Sequence, residues 1–104
     1  MIRNAKKDAN QKEIESYITS IGGEFQDCTQ LKNAFDLLIG YKEKLYIVEV
    51  KNPEYLSKKL PKIEMLEKSL TDGEKKCSDK FKRVDVNYYI VENIEDIKMI
   101  LEEK

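Results

Sequence analysis

Asp36, Glu49 and Lys51 are the residues of this 104-residue chain best suited to do chemistry together. They stand as D-x12-E-x-K across "FDLLIGYKEKLYIVEVKN", a stretch that is otherwise apolar and strand-like. Two carboxylates facing each other in an apolar hairpin repel, and desolvation makes the repulsion worse. Lys51 neutralises one of them. A divalent cation answers both, because Mg2+ favours one or two carboxylates, several waters and a substrate phosphate. The backbone carbonyl of Val50, between acid and lysine, offers a further ligand. A lysine beside such an ion can hold or deprotonate an attacking water and stabilise charge developing on phosphate. The trio suits metal-assisted hydrolysis of a phosphodiester. By spacing alone, a surface hairpin with a cross-strand Glu–Lys contact is the commoner source of such a pattern.

The chemistry requires the three groups to share one face. Cross-strand partners of an antiparallel hairpin have residue numbers of constant sum, and a turn centred between Lys42 and Glu43 pairs Asp36 with Glu49. Their Cβ atoms then lie about 5 Å apart. Lys51, two residues beyond Glu49, falls on the same face, while Val48 and Val50 point the other way. A one-residue slip would undo the alignment.

The elements around this hairpin follow from periodicity and punctuation. "DANQKEIESYITSIGG" predicts a helix with Ile14, Tyr17, Ile18 and Ile21 on one apolar stripe, Asp8 as N-cap and Gly22-Gly23 as stop. "GEFQDC" predicts a short strand, "AFDLLIGY" and "KLYIVEV" the hairpin, and "VNYYIVE" a fourth strand. Between them, "PKIEMLEKSL" predicts a short helix with Pro61 in its first turn, and Thr71 with Glu74 forms a capping box opening "DGEKKCSDKFKR". Asn93 caps a last helix whose Ile94, Ile97, Ile100 and Leu101 share a face. The order is helix, three strands, one or two helices, strand, helix. That is an α/β domain with a mixed sheet of about four strands flanked by helices, spanning residues 1–104 as one unit.

Composition narrows the chemistry further. Histidine is absent, which excludes a His-activated nucleophile, a His general base and a His-ligated zinc. Cys28 and Cys77 have no metal-ligand spacing and read as reduced, partly buried thiols. No apolar run reaches the roughly 18 residues of a membrane span, and the first residues lack a signal-peptide pattern, so the expectation is a cytoplasmic protein with no membrane partner. Net charge is −1, unevenly spread. Residues 42–62 hold six Lys against three Glu, residues 74–83 five Lys or Arg against two acids, and residues 84–104 six acids against two Lys. Lys42, Lys44, Lys58, Lys59 and Lys62 are the candidates for phosphate contact. Tyr41, Tyr46, Tyr55, Tyr88 and Tyr89 could stack on bases, but strand tyrosines are more often core.

The hairpin with its terminal E-V-K resembles the core of the PD-(D/E)XK nuclease superfamily, in particular the small phage and bacterial VRR-NUC (virus-type replication-repair nuclease) branch. "DANQKEI" resembles that family's opening helix, "LTDGEKK" its L-T-P-x-[QE] helix start, and "YIVENIEDIKMIL" its closing strand and helix. The resemblance implies a restriction-endonuclease-like core in which Asp36 and Glu49 bind Mg2+ or Mn2+. Lys51 is then the catalytic lysine, and Glu13 an auxiliary acid. It further implies a structure-selective endonuclease on branched or junction DNA in phage or mobile-element replication, recombination or repair, acting as a homodimer. Phe35 and Asp72 stand where the family has proline, and the segment from Pro53 to Leu70 is longer than in many relatives. Two plainer readings stand beside these assignments. Glu13 also fits a solvent-facing helix acid, and Glu74 is explained by its capping box alone. The competing function is an inactive nuclease fold that binds DNA or inhibits a protein partner.

Overall fold

Ile14 and Ile18, one turn apart and wholly buried, fix which side of helix α1 (Ala9–Ser20) meets the sheet. Residues 9–52 and 61–102 are described in this computed structural model; Asp8, Tyr55, Lys58 and Lys59, singled out from the sequence, lie outside them. The helix ends as its glycines predict. Gly22 adopts φ +84°, its N–H donates to Thr19 O, and Gly23 N–H donates to Ile18 O at 2.9 Å. These two bonds form a Schellman motif, which needs a left-handed residue at Gly22.

Strands β1 (Glu24–Asp27), β2 (Leu37–Tyr41) and β3 (Lys44–Val50) form an antiparallel meander, and β4 (Tyr88–Val91) adds to β3 in parallel. The sheet order is β1-β2-β3-β4. Helices α2 (Lys62–Lys68) and α3 (Asp72–Lys82) lie in the crossover from β3 to β4, and α4 (Ile94–Leu101) follows. This is the mixed, helix-flanked sheet expected from the sequence, with two helices in the crossover. Pairing runs from Leu37↔Val48 to Tyr41↔Lys44, so the turn is centred on Lys42-Glu43 as the register argument requires.

One sheet face carries the core. Leu37, Ile39, Val48, Val50 and Val91 pack with Ile14 and Ile18 of α1 and with Ile97 and Leu101 of α4. Tyr46 and Tyr89 extend this face, their rings 6.1 Å apart. Thr71 and Glu74 form both halves of the capping box that starts α3, and the Asn93 side chain accepts Asp96 N–H to start α4. Both cysteines are free thiols. Among the described residues no helix is long and apolar enough to cross a membrane.

The β2–β3 turn is strained by composition. Lys42 and Glu43 sit at φ +48° and +68°, both in the left-handed region of a two-residue primed turn that favours Asn-Gly. Replacing them with Asn-Gly is expected to stabilise the fold by about 1 kcal/mol, a rise of about 4–8 °C in melting temperature measured by calorimetry. An unchanged or lower melting temperature would contradict this assignment of the turn.

Candidate active site

The last four residues of β3, Ile47 to Val50, are all buried. Strand alternation sends Val48 and Val50 into the core, so Glu49 must point to the opposite face. There it is only 4% exposed. The expectation that Asp36 pairs directly across from it is met in part. Regular pairing ends at Leu37↔Val48, and Asp36 occupies a bend just outside β2. Its N–H donates to Val48 O at 3.1 Å, and its carboxylate accepts the Val50 N–H at 2.8 Å. Val50 therefore meets Asp36 through its N–H. Asp36 and Glu49 open into one pocket of about 530 Å3, together with Thr71, Glu74 and the loop from Thr29 to Phe35.

Lys51 reaches the same cluster. Its Nζ lies 2.8 Å from Glu74 Oε1 and 3.4 Å from Glu49 Oε2. Glu74 also accepts the Thr71 N–H at 2.9 Å, so one carboxylate caps α3 and holds the lysine. The plainer reading of Glu74 was thus too narrow. Glu13 goes the other way. It is exposed on α1, and the acid on the buried stripe of that helix is Glu15, 7% exposed and hydrogen-bonded by Gln11 Nε2 at 3.1 Å. Gln11 and Glu15 share the i, i+3, i+4, i+7 stripe with Ile14 and Ile18, a signal that would have preferred them over Glu13.

Two further residues position the cluster from a distance. Asn10 Nδ2 donates to Lys51 O at 2.9 Å and to Glu92 O at 3.0 Å, tying the ends of β3 and β4 to α1 just past the lysine. Tyr88, 8% exposed, donates its hydroxyl proton to Ala34 O at 2.6 Å and so anchors the loop that leads into Asp36. The same loop meets α3 at Gly73, where a Cβ would lie 2.1 Å from Asn33 Oδ1 and 2.7 Å from its Cβ. Glycine is what lets the two approach.

Of the proposed phosphate-contact lysines, Lys42, Lys44 and Lys62 are described, and they stand on separate elements. Lys42 and Lys44 are at the hairpin tip, about 20 Å of strand from Asp36 at roughly 3.3 Å per residue, and Lys42 Nζ sits over the Tyr41 ring. Lys62 bonds Asp96 at 2.6 Å and Glu92 at 3.1 Å, which ties α2 to α4. Neither group lines the acid pocket. The described tyrosines pack on or beside the core, as strand tyrosines usually do.

Electrostatically the site is short of positive charge. Three carboxylates, Asp36, Glu49 and Glu74, stand against two ammonium groups, Lys51 bonded to the cluster and Lys32 on the pocket wall, a formal charge of −1 with every group ionised. Burial first, then a proton shared with Glu74 and the nearby charges of Asp36 and Glu74, pushes the Glu49 carboxyl up to about 10. Burial likewise raises Asp36, against the pull of the Val50 N–H. Burial alone would raise Glu74, but hydrogen bonds from Glu49, Lys51 and Thr71 overcome it and hold Glu74 low. Lys51 is raised, its two acid partners outweighing burial. Buried Tyr88, near Glu49 and Glu74, keeps its hydroxyl proton well above the usual range.

These donors suit a hard cation. They are oxygens only, and a divalent ion would supply the positive charge that a proton on Glu49 otherwise supplies. Among the described residues no three acid, His or Cys side chains form a ready-made metal cage. Mg2+ does not need one, since it binds through one or two carboxylates and keeps several waters. Comparison with known proteins returns no relative: no family model, curated protein or solved structure matches this chain.

The Glu49 shift has a measurable consequence. Between its ordinary value of 4.5 and about 10, the folded chain keeps a proton that the unfolded chain releases. Stability without metal must therefore fall as pH rises through that window, by at most about 1.4 kcal/mol per pH unit for one proton. Thermal melting across the window should show the decline, and Glu49→Gln should flatten it; a parallel decline in the variant would exclude Glu49 as its source. Tyr88→Phe, which removes the bond to Ala34, should cost about 1–2 kcal/mol in denaturant titration. No loss would mean that the loop is anchored elsewhere.

Proposed function

We propose that this chain is a metal-dependent DNA endonuclease of the PD-(D/E)XK kind, the VRR-NUC branch being the one its motifs resemble. The observation that carries the reading is that Asp36, Glu49 and Glu74 line one pocket beside an otherwise apolar sheet, with Lys51 held by Glu49 and Glu74. Asp36 and Glu49 would hold Mg2+ or Mn2+. When bound, the ion supplies Lewis-acid polarisation of the phosphate and a water made more acidic. Lys51, steadied by Glu74, donates hydrogen bonds to the attacking water or to a phosphate oxygen as charge develops there. Glu74 sets where that ammonium points. Buried Tyr88 and the Asn33–Gly73 contact keep Asp36 and Glu74 at a fixed separation, so little reorganisation is needed when substrate arrives. On branched DNA, a two-fold pair of chains would present two sites to opposed strands.

Two measurements test this reading. With Mg2+ or Mn2+ at a hundredfold excess over its dissociation constant, the native state should gain about 2.7 kcal/mol, seen as a higher melting temperature that Asp36→Asn abolishes. Incubation with linear and branched DNA plus metal should yield nicked or cut product, with Lys51→Ala slower by about 10²–10³-fold. Metal binding without cleavage of any substrate would favour the inactive binding protein instead. Absence of both effects would remove the nuclease reading altogether.

A further inference from the structure

A second cleft adjoins the acid pocket. It measures about 570 Å3, within the range of about 300–1,000 Å3 usual for ligand sites. Asn33, Ala34 and Phe35 line both cavities, so the loop before Asp36 is a shared wall. Its other wall is α3, which contributes Lys76, Cys77, Lys80 and Phe81. Lys76 and Lys80 are exposed, four residues and about 6 Å apart along the helix. Neither forms an ion pair among the described residues, unlike Lys51, Lys62, Lys75 and Lys98. Phe35 and Phe81 are half-buried, each leaving ring surface at the cleft.

A groove with exposed ammonium groups and aromatic faces is the combination that binds a nucleic-acid strand without reading its sequence. The charges follow the phosphates, and the rings stack on bases, which all have a π-face. A lipid surface would call for a broader apolar patch. An acidic peptide would leave the phenyl rings without a function.

We propose that this cleft binds the nucleotides adjoining the phosphate held in the acid pocket, with Lys76 and Lys80 on successive phosphates and Phe35 and Phe81 against a base. The proposal rests on the nuclease reading and deepens it. It moves the strand path from the hairpin tip, where Lys42 and Lys44 lie, to the surface of α3.

The test measures binding of fluorescein-labelled oligothymidylate to the whole chain without metal, so that no cleavage intervenes. Lys76→Ala/Lys80→Ala should weaken binding about tenfold or more at low salt and lower the slope of log K against log salt by about 1.4. The charge-matched Lys42→Ala/Lys44→Ala pair should change both much less. Phe81→Leu should weaken binding to oligothymidylate but not to an abasic strand of equal length. Equal losses from the two lysine pairs, unchanged binding in the α3 pair, or no binding by the wild-type chain would each overturn the proposal. The Mg2+-dependent rise in melting temperature, measured on the same α3 variant, reports the acid pocket separately. If it persists while DNA binding is unaffected, the strand path is wrong and the metal site stands. If it is missing in the wild type as well, the nuclease reading fails with it.

Discussion

Glu49 is a carboxyl that little water can reach, 4% exposed where it meets its pocket. The end of β3 is covered on both faces, and ionising an isolated acid there would be prohibitive. Its neighbours make the position tolerable by sharing a proton and an ammonium, yet they add two more acids. For stability alone, an apolar residue at position 49 would do as well or better, since buried ionic clusters seldom outperform hydrophobic packing of similar volume. A fold that keeps three carboxylates around one lysine beside a cavity is retaining charge against its own stability. Such conflicts tend to mark functional sites.

The scaffold confines that conflict to one face. Alternation along β3 gives Val48 and Val50 to the core with α1 and α4, and leaves Glu49 on the opposite side with α3. Register then decides everything local, because a shift of one residue would place Glu49 among Ile14, Ile18 and Ile97. Pairing to both neighbours holds it: β2 antiparallel on one side, β4 parallel on the other. Asn10 closes the end of the ladder where Lys51 leaves it.

The strand register was legible because apolar alternation on both arms of the hairpin allows one turn position, even though Lys42-Glu43 lacks the Asn or Gly usual at such a turn. The caps at Thr71 and Asn93 were legible for the same local reason. What the sequence concealed was long-range. Lys51 and Glu74 are 23 residues apart, Asn10 and Lys51 41, and Tyr88 and Ala34 54. No periodicity reports such contacts. Glu74 in particular was already explained by its local cap, which hid its contact with Lys51. Asp36 was read as a strand residue, but its side chain takes the N–H of Val50 as a ladder carbonyl would, so the strand bends there.

Charge summed along segments says little about which surface carries it. Residues 42–62 carry the same net +3 as residues 74–83, but the described lysines of the first group sit on separate elements: Lys42 and Lys44 at the hairpin tip, Lys51 at the end of β3 and Lys62 in α2. The second group is almost entirely one helix. α3 offers Glu74 to the acid cluster in its first turn and Lys76 and Lys80 to the neighbouring cleft in the next two. Its position is set at one end by the Asn33–Gly73 contact, against the loop that ends in Asp36. Any shift of α3 relative to that loop therefore alters the acid cluster and the basic strip together. The geometry of the two cavities is a single variable, fixed by how closely a glycine lets a helix approach a turn.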